Sequence, residues 1–346
     1  MGLRRAEAVN PSVPRVTRWF VVAQQGILLQ CLLFGLVNAD GNPRHVTMGR
    51  VGKSTVRIAV LPVAGFGTRM LPATKAVPKE MLPILGKPMI QYAVEECRAA
   101  GIEEIIFVTS PGKSAIEAHF TRDPALEKLL ERRGQKEAAH GIRELSTFAR
   151  MRFVEQSEPL GLGHAVLCAR SLVGREPFAV LLPDVFLLGP RPALRELVDA
   201  FAETGASVVT VERVGRERIS QCGIVAVDAT ASGEKLYRVR DLVEKPNTAE
   251  APSDLGIMGR YVLVPEVFEC LESTEPGSGN EIQLTDALGI LARQGELQCL
   301  LWEGESFDAG DARGFFKLGV EFALRDAELG AWLRRRLGPP HSGRDD

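Results

Sequence analysis

From Arg57 onward, short apolar runs alternate with amphipathic stretches. "RIAVLPVA" is apolar from its second residue on, the pattern of a strand buried on both faces. In "PMIQYAVEECRAAG", Ile90, Ala93, Val94 and Cys97 share one stripe. Pro88 near the start and Gly101 at the end mark this as a helix. The alternation continues with strand Glu104–Ser110, helix Lys113–Phe120, a charged helical surface over Thr121–Arg150, strand Arg152–Gln156, helix His164–Leu172 and strand Phe178–Asp184. Strands separated by helices predict a parallel sheet with right-handed crossovers. After Ala206 the strand-like runs crowd together ("SVVTVERV", "GIVAVD", "YRVRDLVEK", "GIMGRYVLV"). They predict antiparallel additions forming a second half or lobe. Asn280–Arg293 reads as a helix, with Asn280 as cap and Gln283 at the capping-box position. The expectation is an α/β chain: a Rossmann-like, mixed, mostly parallel sheet flanked by helices, with extra antiparallel strands. It occupies one domain over residues 57–335, followed by a tail over 336–346.

The first 56 residues break this pattern. Trp19–Val37 carries no charge and follows Arg4, Arg5, Arg15 and Arg18. That is long enough for a membrane span, but its positive flank would send the rest of the chain out of the cytoplasm. We read residues 1–56 as an extension that is disordered or precedes the true start at Met48. A membrane anchor or a cleaved signal are the alternatives for Trp19–Val37. "GKST" at Gly52–Thr55 imitates a phosphate loop but has Thr47 where the first glycine belongs, and it precedes a strand rather than following one.

Composition narrows the function classes. The chain has 346 residues, 45% of them hydrophobic, and a net charge of −2. No basic face for nucleic acid is expected, so any cationic site is local. The six cysteines have no C-x-x-C spacing and read as reduced thiols of a cytoplasmic protein.

In open parallel sheets ligands sit beyond the carboxyl ends of the strands. The loop after the first strand, "VAGFGTRMLPATKAVPKEMLP" (Val63–Pro83), combines two glycines, three cations and several prolines. Gly65 and Gly67 let backbone approach an anion. Arg69 offers a planar fork for phosphate oxygens, and Lys79 a point charge. Pro72, Pro78 and Pro83 stiffen the loop. Met70 stands where a dinucleotide fingerprint needs its third glycine. The loop therefore describes a cradle for a polyphosphate, not an NAD site.

This string resembles the signature of the sugar-nucleotide pyrophosphorylases. The resemblance continues through "KPMIQYAVEE", "GLGHAVLCA", "LLPDV", "VEKP", "GRYVL", "NEIQLTDAL" and "FDAGD", over about residues 57–330. "PATKAVPKEMLP" and "EIQLTDA" are similar to the uridylyl branch. The resemblance implies in-line displacement at the α-phosphorus of UTP by glucose 1-phosphate, with Mg²⁺ as cofactor and assembly into dimers or tetramers. Neither a membrane nor a nucleic-acid partner is expected. It implies that Arg69, Lys79, Asp184 and Lys245 are catalytic. Ala64, Gly65, Gly67, Gln156 and Gly161 would bind the nucleotide, and Gly223, Glu244, Lys245 and Tyr261 the sugar. Asp184 and Asp308 would hold the metal. Cys222 departs from the Tyr-Gly of many relatives, which puts one aromatic wall in doubt. His119 and His164 are read as packed helix residues, because an anionic phosphate needs no general base. A related activity on dTTP or another sugar 1-phosphate, or a non-catalytic sugar-nucleotide sensor, are the alternatives.

Overall fold

The computed structural model describes residues 56–228 and 235–338. The readings of the N-terminal extension, of Met48 and of Gly52–Thr55 lie outside them. Nine strands form one sheet: β1 Ile58–Pro62, β2 Glu104–Thr109, β3 Arg150–Glu155, β4 Phe178–Leu181, β5 Ser207–Arg213, β6 Gly223–Val227, β7 Leu236–Glu244, β8 Leu255–Leu263 and β9 Leu297–Leu301. Their order is β3-β2-β1-β4-β8-β5-β9-β7-β6. β1 to β4 pair in parallel. β8 is antiparallel to both β4 and β5, β9 is parallel to β5, and β7 is antiparallel to β9 and β6.

The continuous apolar character of the central strands has a direct cause. Side chains alternate across a strand, and both faces here are covered. Ala59, Leu61, Ile105, Phe107, Ala179 and Leu181 pack with helices Met89–Ala100 and Ala193–Thr204 on one face. Val60, Ile106, Val108, Phe178 and Val180 pack with helices Leu162–Cys168, Val267–Ser273 and Leu284–Gln294 on the other. Phe107 stacks between Phe120 and Phe153, with centroids 5.4 and 5.0 Å away. Each such aromatic contributes about 1.5–3 kcal/mol by burial.

Two expectations need correction. The strands after Ala206 form no separate lobe; β8 threads them into the same sheet. The helix expected from Asn280 starts at Leu284. Ile282 explains the delay: its N–H donates to the Leu160 carbonyl and its own carbonyl accepts from Gly163, both at 2.8 Å. A residue bonded crosswise on both sides cannot join a helix ladder. Asn280 instead sits at φ 59 in the turn Ser278–Asn280. Ala327–Leu337 is the last helix among the described residues.

One small ribbon lies beside Asp184 and carries Asp308. Val185–Leu188 pairs antiparallel with Glu305–Asp308, in register Val185↔Asp308. Phe186 and Leu188 pack with Met89, Ala309, Leu318 and Phe322 in a satellite core. That core fixes the ribbon between helix Met89–Ala100 and helix Ala312–Arg325.

Candidate active site

The ribbon register sets Asp308 opposite Val185 and so beside Asp184. The Ala309 N–H donates to the Asp184 carbonyl at 2.8 Å, and the Gly310 N–H donates to Asp308 Oδ1 at 2.7 Å. A Cβ on the buried Gly310 would lie 2.6 Å from Arg69 Nη2, 2.9 Å from Asp308 Oδ1 and 3.0 Å from Asp184 Oδ2. Three of the predicted side chains thus close on one small volume that only glycine leaves open.

Lys79 completes the group. Its Nζ donates to Asp184 Oδ2 at 2.5 Å, both side chains being about 15% exposed. Burial opposes the Lys79 charge, but the carboxylates of Asp184 and Glu80 outweigh it and raise the pKa. Burial likewise opposes the Asp184 charge, and Lys79 outweighs it and lowers the pKa. Both groups stay ionised at neutral pH. Lys75 points to solvent.

The loop carrying Arg69 and Lys79 folds on itself in three short turns, Thr68–Met70, Ala73–Lys75 and Lys79–Met81. Gly67 has φ 64, which disfavours any side chain, and a Cβ there would press on Thr74 and Lys79. Its carbonyl accepts from Thr74 Oγ1 at 2.8 Å. Gly65 is different: a Cβ would meet nothing within 4 Å.

A second group forms where β3 ends. Gln156 is buried, and its Nε2 donates to the Gly161 carbonyl (3.1 Å) and to His164 Nδ1 (3.0 Å). Both amide hydrogens are therefore committed, and Oε1 remains as an acceptor. Gly161 has φ 97, and a Cβ would lie 2.8 Å from Glu281 Cβ and from the Ile282 carbonyl oxygen. His164 accepts from Gln156, and His119 Nε2 lies 3.0 Å from Gln91 Oε1; both histidines are packing residues here.

The Ile282 contacts lead to the third group. Thr285, at the start of helix Leu284–Gln294, donates to Glu244 Oε2 at 2.7 Å. A Cβ on Gly223 would lie 3.0 Å from Thr285 Oγ1 and 3.2 Å from Glu244 Oε2. Lys245 has φ 43, a left-handed conformation costly for a non-glycine residue. That turn brings the two neighbours to one place, with Lys245 Nζ 3.2 Å from Glu244 Oε1. Cys222 Sγ packs where a Cβ on Gly256 would be. Tyr261 lies behind this group, near Glu244, rather than on its surface. It belongs to the hydrophobic core, and burial followed by the Glu244 carboxylate pushes its phenol pKa up.

Arg260 and Glu96 carry weight that sequence reasoning missed. Both are buried. Arg260 Nε and Nη2 donate to Glu96, Nη1 to the Leu182 and Gly259 carbonyls, and Nη2 also to the Val185 carbonyl. All five guanidinium N–H groups are used, and two of the acceptors flank the turn that carries Asp184. Arg260 lies within "GRYVL", but its partners are too distant in sequence to be read from it. Thr285 lies within "EIQLTDA" and escaped for the same reason.

Among the described residues no helix is long and apolar enough to cross a membrane, and no three His, Cys, Asp or Glu side chains are grouped to hold a metal.

Known proteins share this sequence and fold. A family model described as Nucleotidyl transferase matches residues 58–323. A UTP–glucose-1-phosphate uridylyltransferase of Bacillus subtilis (strain 168) is 47% identical over 274 residues, covering 79% of this chain and 93% of the relative. A UTP-bound UGPase from Acinetobacter baumannii superposes with TM-score 0.75 at 38% identity, covering 82% of this chain and 98% of that one. A UDP-glucose pyrophosphorylase complexed with UDP-glucose gives TM-score 0.70 at 37% identity, covering 77% and 98%.

Proposed function

The chain belongs to the nucleotidyl transferase family, and from that premise we propose that it transfers the uridylyl group of UTP to glucose 1-phosphate. A phosphate oxygen of glucose 1-phosphate forms a bond to the α-phosphorus. The bond from that phosphorus to the oxygen bridging to the β-phosphate breaks, giving UDP-glucose and pyrophosphate. The attacking oxygen is already anionic, so the protein supplies position and charge rather than a base.

The observation that carries this reading is the convergence of Arg69, Asp184 and Asp308 on Gly310, with Lys79 paired to Asp184. Arg69 holds the β- and γ-phosphates and the departing pyrophosphate. Lys79 neutralises charge that shifts onto the α-phosphate. Ala64, Gly65 and Gly67 line the nucleotide. Neither crowding nor positive φ requires glycine at Gly65, whereas a closely approaching ligand does. Gln156 Oε1 accepts from the uracil N3–H, with Gly161 beside it. Gly223 and Glu244 contact the glucose hydroxyls, Tyr261 backs that wall, and Lys245 holds the sugar phosphate.

The donor set fits Mg²⁺. Two carboxylates, Asp184 and Asp308, approach one point, and this ion takes one or two carboxylates with phosphate oxygens and water. When bound, it neutralises the phosphate chain and orients its oxygens.

The enzyme works in the cytoplasm, where its nucleotide is made, and self-associates. Phe316 and Trp332 are exposed on helices Ala312–Arg325 and Ala327–Leu337, beside an apolar groove of about 530 Å³. Phe316→Glu with Trp332→Glu should lower the mass measured by light scattering.

Pyrophosphate release measured over a panel of nucleoside triphosphates and sugar 1-phosphates tests the activity. UTP with glucose 1-phosphate is the expected best pair. A better pair with dTTP or another sugar phosphate would overturn the assignment.

A further inference from the structure

Lys113 stands just before helix Ser114–Phe120, beyond the end of β2. Its side chain reaches back under the loop that follows β1. The Nζ donates to the Val63 carbonyl, to the Gly65 carbonyl at 2.6 Å and to Glu80 Oε2 at 3.0 Å. An ammonium has three donors, and all three are used inside the protein. The side chain is 9% exposed and its partner Glu80 only 2%. Glu80 follows Lys79 in the same short turn. One buried cation therefore grips the loop at both ends, at Val63 and Gly65 on one side and at Glu80 on the other.

This arrangement answers a problem intrinsic to phosphate loops. A loop offers carbonyl oxygens as readily as N–H groups, and a carbonyl turned toward a polyphosphate repels it. A carbonyl bound to an ammonium on the inner side cannot turn outward. We propose that Lys113 is a positioning residue for the nucleotide, holding the Val63 and Gly65 carbonyls inward so that the loop presents its N–H groups to the phosphate chain. Through Glu80 it also fixes the turn from which Lys79 projects. The inference rests on the nucleotidyl-transfer reading above, and it adds a role outside the residues that touch substrate.

Lys113→Met alone would strand the buried Glu80 carboxylate, which is destabilising in itself. The test therefore uses the full chain carrying Glu80→Gln with Lys113→Met, which removes both charges, and Glu80→Gln alone, which keeps the two carbonyl contacts. KM and kcat are measured for UTP and for glucose 1-phosphate, and UTP binding is followed by calorimetry. Wild-type turnover of UTP with glucose 1-phosphate tests the activity reading separately. The double variant is expected to raise both KM and Kd for UTP about tenfold or more, with KM for glucose 1-phosphate within about twofold. Glu80→Gln alone should change KM for UTP about threefold or less. Equal losses toward both substrates, or UTP binding within about twofold of wild type in a double variant that melts like the parent, would overturn the proposal. If the double variant does not fold, a tenfold loss of UTP affinity in Glu80→Gln alone, where Lys113 still holds both carbonyls, would overturn it as well, and retained affinity would support it.

Discussion

Replacing Lys79 by alanine separates catalysis from binding. The Nζ lies 2.5 Å from Asp184 Oδ2. At an effective dielectric of about 20 the gross attraction is about 7 kcal/mol, most of it offset by desolvation of the two charges. Both partners are about 15% exposed, between the surface and buried limits, so the net loss of stability on Lys79→Ala should be about 2 kcal/mol. The catalytic loss should be larger. Removing a preorganised group that stabilises developing charge costs about 10²–10³ in kcat, or about 3–4 kcal/mol. In the proposed arrangement Arg69 and the loop backbone still hold the nucleotide, so KM for UTP should change about tenfold or less. The assay is pyrophosphate release at saturating glucose 1-phosphate with UTP varied, alongside a thermal melt. A kcat within threefold of wild type, or a loss carried wholly by KM for UTP, would refute the reasoning that Lys79 acts on the α-phosphate.

Three further outcomes follow from the same geometry. Gly310→Ala places a methyl 2.6 Å from Arg69 Nη2 and about 3 Å from both carboxylates. It should lower kcat/KM at least about tenfold with a melting shift of only a few degrees, which steady-state kinetics and calorimetry check together. Arg260→Met strands the buried Glu96 and should cost about 3–5 kcal/mol in urea unfolding. Only part of this should be recovered by adding Glu96→Leu, because the Leu194 N–H then loses its acceptor and the carbonyls beside Asp184 lose their donor. Activity should stay low in that double variant, because the carbonyls beside Asp184 have lost their donor. For pH, Asp184 has a folded pKa below its ordinary 3.8 and Lys79 one above its ordinary 10.5. The stabilisation from Asp184 is present above 3.8 and is lost as pH falls through the lowered value. That from Lys79 is present below 10.5 and is lost as pH rises through the raised value. Across pH 5 to 9 the pair's contribution to the wild type should be constant, whereas Lys79→Met leaves burial to raise the Asp184 pKa. By urea unfolding the penalty of the substitution should therefore grow as pH rises until Asp184 ionises in the variant.

What could be read from the chain depended on distance along it. β1 and β4, each buried on two faces, announce themselves as apolar runs, and the Gly65–Pro83 loop declares its chemistry within one segment. The cap of helix Ala312–Arg325 is equally local in its cause: Asp311 accepts from the Arg313 and Gly314 N–H groups. Pairing across the chain was not legible. "FAVLLPDVFLLG" looks like one apolar run, yet it divides at Asp184 into β4 and a ribbon strand whose partner is Glu305–Asp308. β9 went unread because "LQCLL" is short and follows a helix without a turn signal of its own beyond Gly295. Lys113 and Arg260 look like ordinary strand-end and strand cations until their acceptors, contributed by other segments, are in place.

The most direct test of the central claim is a diffraction map of crystals grown with UTP and Mn²⁺, collected at an energy where manganese scatters anomalously. The account predicts a peak within about 2.5 Å of carboxylate oxygens of Asp184 and Asp308, with the triphosphate between it and Lys79 and Arg69. A peak elsewhere, or a phosphate chain that bypasses Gly310 and its three neighbours, would contradict it.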